Sequence, residues 1–221
     1  MPIRVVLERG PKDKKVVAFA VDWSGWSRGA KTANEALDTL AAYRARYRPI
    51  AVRAGFERAF DRSGRLTVVE DRVGTGSTDF WGISYAPSSF EPDPMRTAEF
   101  KRKLALLEAC WAYFDDVAAR VSPELRKGPR GGGRDRDKMV GHVNEADWYY
   151  ARELGLKLRQ PDPTDRDAMA AMRAGMLAIL REPSDGSPLA GRKWTQRYAA
   201  RRIAWHALDH SWEMEDRSEP G

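Results

Sequence analysis

The hydrophobic period of this chain changes once, near residue 96, and that change limits the folds open to it. Before it, apolar residues recur with the alternation of strands. Lys15–Trp23 places Val17, Phe19 and Val21 on one side, and Ile3–Glu8 is a second β-rich run. Arg9-Gly10-Pro11-Lys12-Asp13 between them has the residues of a hairpin turn. Ser24 to Gly29 breaks the second strand. Thr32 and Glu35 then form the spacing of a capping box and open a helix whose apolar face is Ala36, Leu37, Leu40, Ala41 and Tyr43. That helix is expected to run to about Tyr47 and to stop at Pro49. Further strands are expected near Ile50–Phe56 and Leu66–Asp71, with a loop at Gly74–Thr78 and a linker through Pro87, Ser88, Ser89, Pro92 and Pro94.

After residue 96 the period is helical. Four helices are expected, at about Thr97–Val121, Met139–Leu154, Thr164–Arg181 and Lys193–Asp216. Thr164 reads as an N-cap, with Asp165 and Asp167 in the first turn where the helix dipole favours negative charge. The fold class is therefore α+β: a small α/β domain over 1–90, followed by a four-helix bundle over 96–216. Bundle interiors gather ligands from facing helices.

All three histidines of the 221 residues fall in the helical half. His206 and His210 are four apart, so a helix puts both rings on one face about a turn apart. His142 lies in another helix. Two imidazoles from one helix and a third from a neighbour supply three corners of a coordination sphere and leave positions open for water or substrate. Against this stands the plainer reading of histidines packed and hydrogen-bonded in a core. Cys110 is the single cysteine, so no intrachain disulfide forms and a thiolate cluster is excluded. Its apolar helical surroundings make it core filling. Thirty-eight basic against thirty-two acidic residues give a net charge of +6, a heavily charged surface with a modest excess rather than a nucleic-acid footprint. No signal-peptide core and no run of membrane-spanning length is visible, so a soluble cytoplasmic protein is expected.

One histidine near the start of the second bundle helix and an H-x3-H pair on the last resemble the DinB/YfiT-like metal-dependent proteins over about residues 96–216. The resemblance implies that His142, His206 and His210 bind one divalent ion (zinc, nickel, manganese or iron). It also implies an activity, transfer or hydrolysis on a small-molecule substrate, with low-molecular-weight thiols among the candidates. Related iron-dependent sulfoxide synthases prefer a glutamate two residues after the last histidine. Here that position is Trp212 and the glutamate is Glu213, which argues against an iron oxygenase. The run Ala-Val-Asp-Trp-Ser-Gly-Trp-Ser, followed by Thr-Ala-Asn-Glu-Ala-Leu, is similar to HicB-type domains. Such a module implies dimerisation, or a cover for the mouth of the metal site. It also raises the alternative of a HicB-related regulatory or antitoxin-like binding module whose metal site is structural or degenerate. Neither a membrane nor a nucleic acid is an expected partner.

Around the triad, Glu145 is three residues after His142 and can share its helix face, which makes it the candidate catalytic residue, as a base, a fourth ligand or a hydrogen-bond acceptor for a ligand, against the equally common role of a surface charge or salt-bridge partner. Glu213 can orient the His210 ring, and Asp209 points away around the helix. Trp148, Tyr149, Trp205 and Trp212 are candidates for an apolar wall, and for plain core packing. Arg197, Arg201 and Arg202 would clamp an anion if one faced the cavity; exposure or ion pairing is the commoner fate of such residues. The Gly/Arg-rich run 126–138 lacks a P-loop ending and reads as a solvated loop, or as a basic lid beside His142 that recruits an anion.

Overall fold

The computed structural model describes residues 1–128 and 132–218. Strands β1 (Ile3–Arg9), β2 (Val16–Ala20), β3 (Ser27–Ala30) and β4 (Leu66–Val73) form one sheet in the order β3-β2-β1-β4. β1 pairs antiparallel with β2 and parallel with β4, and β2 pairs antiparallel with β3. The alternation read from sequence sets the two faces of this sheet. Ile3, Val5 and Leu7 enter the main core, whereas Val6 joins Phe19 and Val21 on the other face, covered by Phe90.

The parallel β1–β4 pair needs a crossover, and helices α1 (Ala33–Ala42), α2 (Arg44–Arg53) and α3 (Glu57–Asp61) supply it. The capping box at Thr32 and Glu35 forms as expected. Two expectations fail in this stretch. Pro49 does not stop a helix but lies inside α2, because the break falls earlier, at Tyr43. Residues 50–53 are helical rather than the start of a strand. Tyr47, Ile50 and Ala51 are buried at i, i+3 and i+4, and the Tyr47 hydroxyl donates to the Ser24 carbonyl at 2.7 Å. Their apolar character belongs to a helix face begun before the proline.

β3 has no strand-like composition. Tertiary fit makes it a strand: it pairs with β2, and Gly29 lets the backbone of Gly82 approach so closely that a Cβ would stand 2.6 Å from the Gly82 carbonyl oxygen. The segment 74–78 is not all loop, since helix α4 (Gly76–Trp81) starts there with Thr75 as its N-cap. Nor is the proline-rich segment a free linker. Ser84, Ser88 and Glu91 are buried, and Arg201 holds both Glu91 and Ser84.

Four long helices follow: α5 (Thr97–Arg120), α6 (Arg136–Glu153), α7 (Arg166–Leu180) and α8 (Gln196–Arg217). Asp165, not Thr164, caps α7, accepting from the Ala168 amide at 3.0 Å, while Thr164 is held by Asp162. α7 buries one stripe of Met169, Met172, Met176 and Leu180. α8 is buried on nearly every side, which marks it as the central element. Residues of both halves, Val5, Trp26 and Tyr47 with Leu107, Met139, Ala204 and Trp212, share one continuous hydrophobic core. Across the same boundary Arg46 pairs with Glu215 and Asp216, Arg28 with Asp209, and the buried Lys103 ammonium donates to the Val21 carbonyl. Of the Gly/Arg-rich run 126–138, residues 129–131 lie outside the described residues. No described helix is long and apolar enough to cross a membrane.

Candidate metal centre

The three histidines converge. His142 comes from the first half of α6, and His206 and His210 from one face of α8. One ligand atom from each lies within 4.8 Å of the others, a group that can hold a metal ion. Ring centroids stand 5.1 Å apart for His142 and His206, 4.9 Å for His142 and His210, and 4.7 Å for His206 and His210. Two nitrogens bound to one ion at roughly 2.1 Å are at most roughly 4.2 Å apart. In tetrahedral coordination the separation is about 3.4 Å, so a pair at the 4.8 Å limit has to draw in by about 1.4 Å.

The start of α6 is anchored from outside the helix. Asp135 accepts from the Leu125 amide and pairs with Lys127, and the Arg136 amide donates to the Pro123 carbonyl. His142 is thereby held one and a half turns into the helix. On α8, the Thr195 hydroxyl caps the first turn by accepting from the Tyr198 amide at 3.2 Å.

Each ring has a different environment. The Nδ1 atom of His210 lies 2.9 Å from a Glu213 carboxylate oxygen, and Glu213 is held in turn by Arg217 at 2.7 Å. An ionised carboxylate only accepts, so Nδ1 carries the proton and the Nε2 lone pair is free to coordinate. This hydrogen bond also holds the Glu213 carboxyl below its ordinary range. His206 is buried at 6% exposure, and its Nδ1 has no hydrogen-bond partner among the described residues. Tyr150 meets its ring edge-on at 5.7 Å, and Trp205 lies tilted at 5.9 Å.

Burial pushes His142 down to about 4, aided by the His210 and Arg134 charges and opposed by Glu213. Burial, with His210, Arg202, His142 and Arg134 adding to it, pushes His206 well below its ordinary value. Both rings are therefore neutral at pH 7, the protonation state that a metal ligand needs. The core indole nitrogens of Trp111 and Trp212 lack partners as well, so it is the convergence of the three imidazoles, two of them neutral, that fits a divalent ion.

The remaining candidates separate. Glu145 is exposed and is not part of the three-residue donor group. Asp209 is held by Arg28 at 2.7 Å on another side of α8. Trp212 packs against Tyr43 in the core, the Trp148 indole donates to the Leu158 carbonyl, and Tyr149 is exposed. Of the four named aromatics, Trp205 alone flanks the triad. Sequence reading missed Tyr150, although its place eight residues after His142, about two turns on the same side of α6, was a usable signal. It also missed Asp147, wholly buried on α6. Burial lifts that carboxyl to about 6 against the opposing Arg173 charge, with Trp111 near enough to add a weaker pull. No protein-family model, no curated protein and no solved structure matches the chain.

Proposed function

We propose that this protein is a divalent-metal-dependent enzyme acting on a small substrate by group transfer, with a low-molecular-weight thiol as one candidate reactant, or by hydrolysis. The convergence of His142, His206 and His210 from two helices carries this reading. The DinB-like identity of the bundle and the HicB-like identity of the sheet belong to the same proposal.

His142, His206 and His210 would hold a divalent ion through imidazole nitrogens that add no negative charge, and the ion's positive charge would acidify water or a thiol and polarise a substrate oxygen. The chain's own residues prepare that chemistry. Glu213 keeps His210 in the coordinating tautomer. Tyr150 and Trp205 shield the His206 side from water, which strengthens the local electrostatics. Glu145, exposed about one turn from His142, is the candidate proton acceptor.

Elemental analysis of the purified protein tests the reading. One divalent ion per chain is expected, and none in a His206→Ala/His210→Ala double variant. Metal-free wild type, or equal metal in both proteins, overturns it.

A further inference from the structure

Three arginines are buried on α8, and one of them lacks an acid. Arg197 pairs with Glu99 at 2.8 Å, and Arg201 with Glu91 at 2.5 Å. Arg202, 6% exposed, has no carboxylate within ion-pair reach among the described residues. Its Nε is buried without a hydrogen-bond partner, one terminal nitrogen makes a long 3.4 Å contact with the Ser84 carbonyl, and the guanidinium also hydrogen-bonds the Tyr150 side chain. The guanidinium lies instead between two rings, 4.8 Å from the centroid of Tyr85 and 4.4 Å from that of Trp205. Such cation–π contacts recover only part of what desolvating an ion costs, so the balance favours a bound counter-charge.

The place of this arginine gives the missing anion a role. Arg202 is one helical turn before His206 on the same face of α8, close enough for its charge to act on both His206 and Tyr150. Tyr85 and Tyr150, both beside Arg202, line a cavity of about 550 Å³ together with Tyr149, Trp194, Lys193 and the Arg192–Glu153 ion pair, and Arg202 itself stands behind this lining. That volume is in the range of small-molecule sites, and the lining is aromatic with a rim in which basic residues outnumber the one acid, Glu153.

We propose that the substrate of this centre is a small organic anion, a carboxylate or phosphate ester on a flat apolar body. Arg202 binds the anionic group. Tyr85, Tyr150 and Trp194 hold the body, and Tyr150, which meets the His206 ring edge-on, links this cavity to the histidines. The reactive role of the anion rests on the metal-centre reading, but its binding to Arg202 does not, and the two separate by experiment.

Benzoate and phenyl phosphate, with neutral benzamide as control, are titrated into wild type, Arg202→Gln, Arg202→Lys and the His206→Ala/His210→Ala variant, following tryptophan fluorescence. Zinc content is measured on the same samples. At least one anion is expected to bind wild type about tenfold or more tighter than benzamide, the worth of one charged hydrogen bond. Arg202→Gln is expected to lose that preference while keeping zinc, and Arg202→Lys to retain part of it. The double histidine variant is expected to lose zinc and still prefer the anion. Benzamide binding as tightly as both anions, no saturable binding of either anion, or an anion preference unchanged in Arg202→Gln overturns the proposal. Should Arg202→Gln fail to fold, the wild-type comparison and Arg202→Lys decide it. Zinc-free wild type that still prefers the anion overturns the metal reading alone.

Discussion

Helix α8 carries two buried polar tiers, and they differ in how completely they are satisfied. In the first, Arg197 and Arg201 meet Glu99 and Glu91, and Arg201 reaches on to Ser84, which donates to the buried Glu8. Every charge there has a partner, and the network fastens the segment 84–94 to the bundle. Beginning at the very next residue, about 100° around the helix, Arg202 and His206 leave nitrogens without partners, and three imidazoles face one another. A buried polar atom without a partner costs about 1–3 kcal/mol. A fold that keeps two of them one helical turn apart, beside a tier where none is left over, points to a ligand for the second tier and a structural role for the first.

Breaking the closed tier should have the largest effect. Arg201→Ala leaves Glu91 buried and unpaired, and a loss of about 3–5 kcal/mol in urea unfolding is expected. A loss below about 1 kcal/mol would make the two tiers alike. In the open tier, stability should depend on the ion. Chelation of zinc-loaded wild type is expected to remove about 3 kcal/mol when free zinc had been about a hundredfold above its dissociation constant. The His206→Ala/His210→Ala variant should show no response, and an equal response in both would place the ion elsewhere. Glu213→Gln weakens the partner of His210 Nδ1, and zinc affinity measured by chelator competition should fall about 10–100-fold.

A subtler contrast concerns Asp147, which borders the open tier yet is held by Arg173. Its folded titration point of about 6 lies above the ordinary 3.8, so the folded state binds more protons between these values. Stability from this group is therefore greatest at low pH and is lost as pH rises from 3.8 through about 6. Asp147→Asn should flatten the pH profile of the chemical midpoint in that window; an unchanged profile would assign the dependence to other groups. The smallest effect is expected from Glu145→Gln. An exposed side chain outside the donor group should leave zinc content unchanged and stability within about 0.5 kcal/mol.

What sequence could and could not reveal follows from how local each signal is. The four long helices, the Thr32 capping box and the histidine face depend on spacing within one element, and the structure agrees with them. β3 was not legible, because Ser-Arg-Gly-Ala becomes a strand only when β2 offers it an edge. α2 was hidden by Pro49, whose usual effect is outweighed by the burial of Tyr47, Ile50 and Ala51. The segment 84–94 resembles a linker in composition, and only the distant Arg201 shows why Glu91 and Ser84 are buried there. The same distance conceals the state of the three arginines: one helix bears them all, yet two find acids and one does not. The convergence of His142 with the pair on α8 stood between these cases, suggested by spacing and decided by the packing of α6 on α8.

X-ray absorption at the zinc edge of the loaded protein tests the central claim most directly. The account requires three imidazole nitrogens at roughly 2.0–2.1 Å, and a drop to two in a His142→Ala variant. A spectrum without imidazole scattering, or one that His142→Ala leaves unchanged, would contradict it.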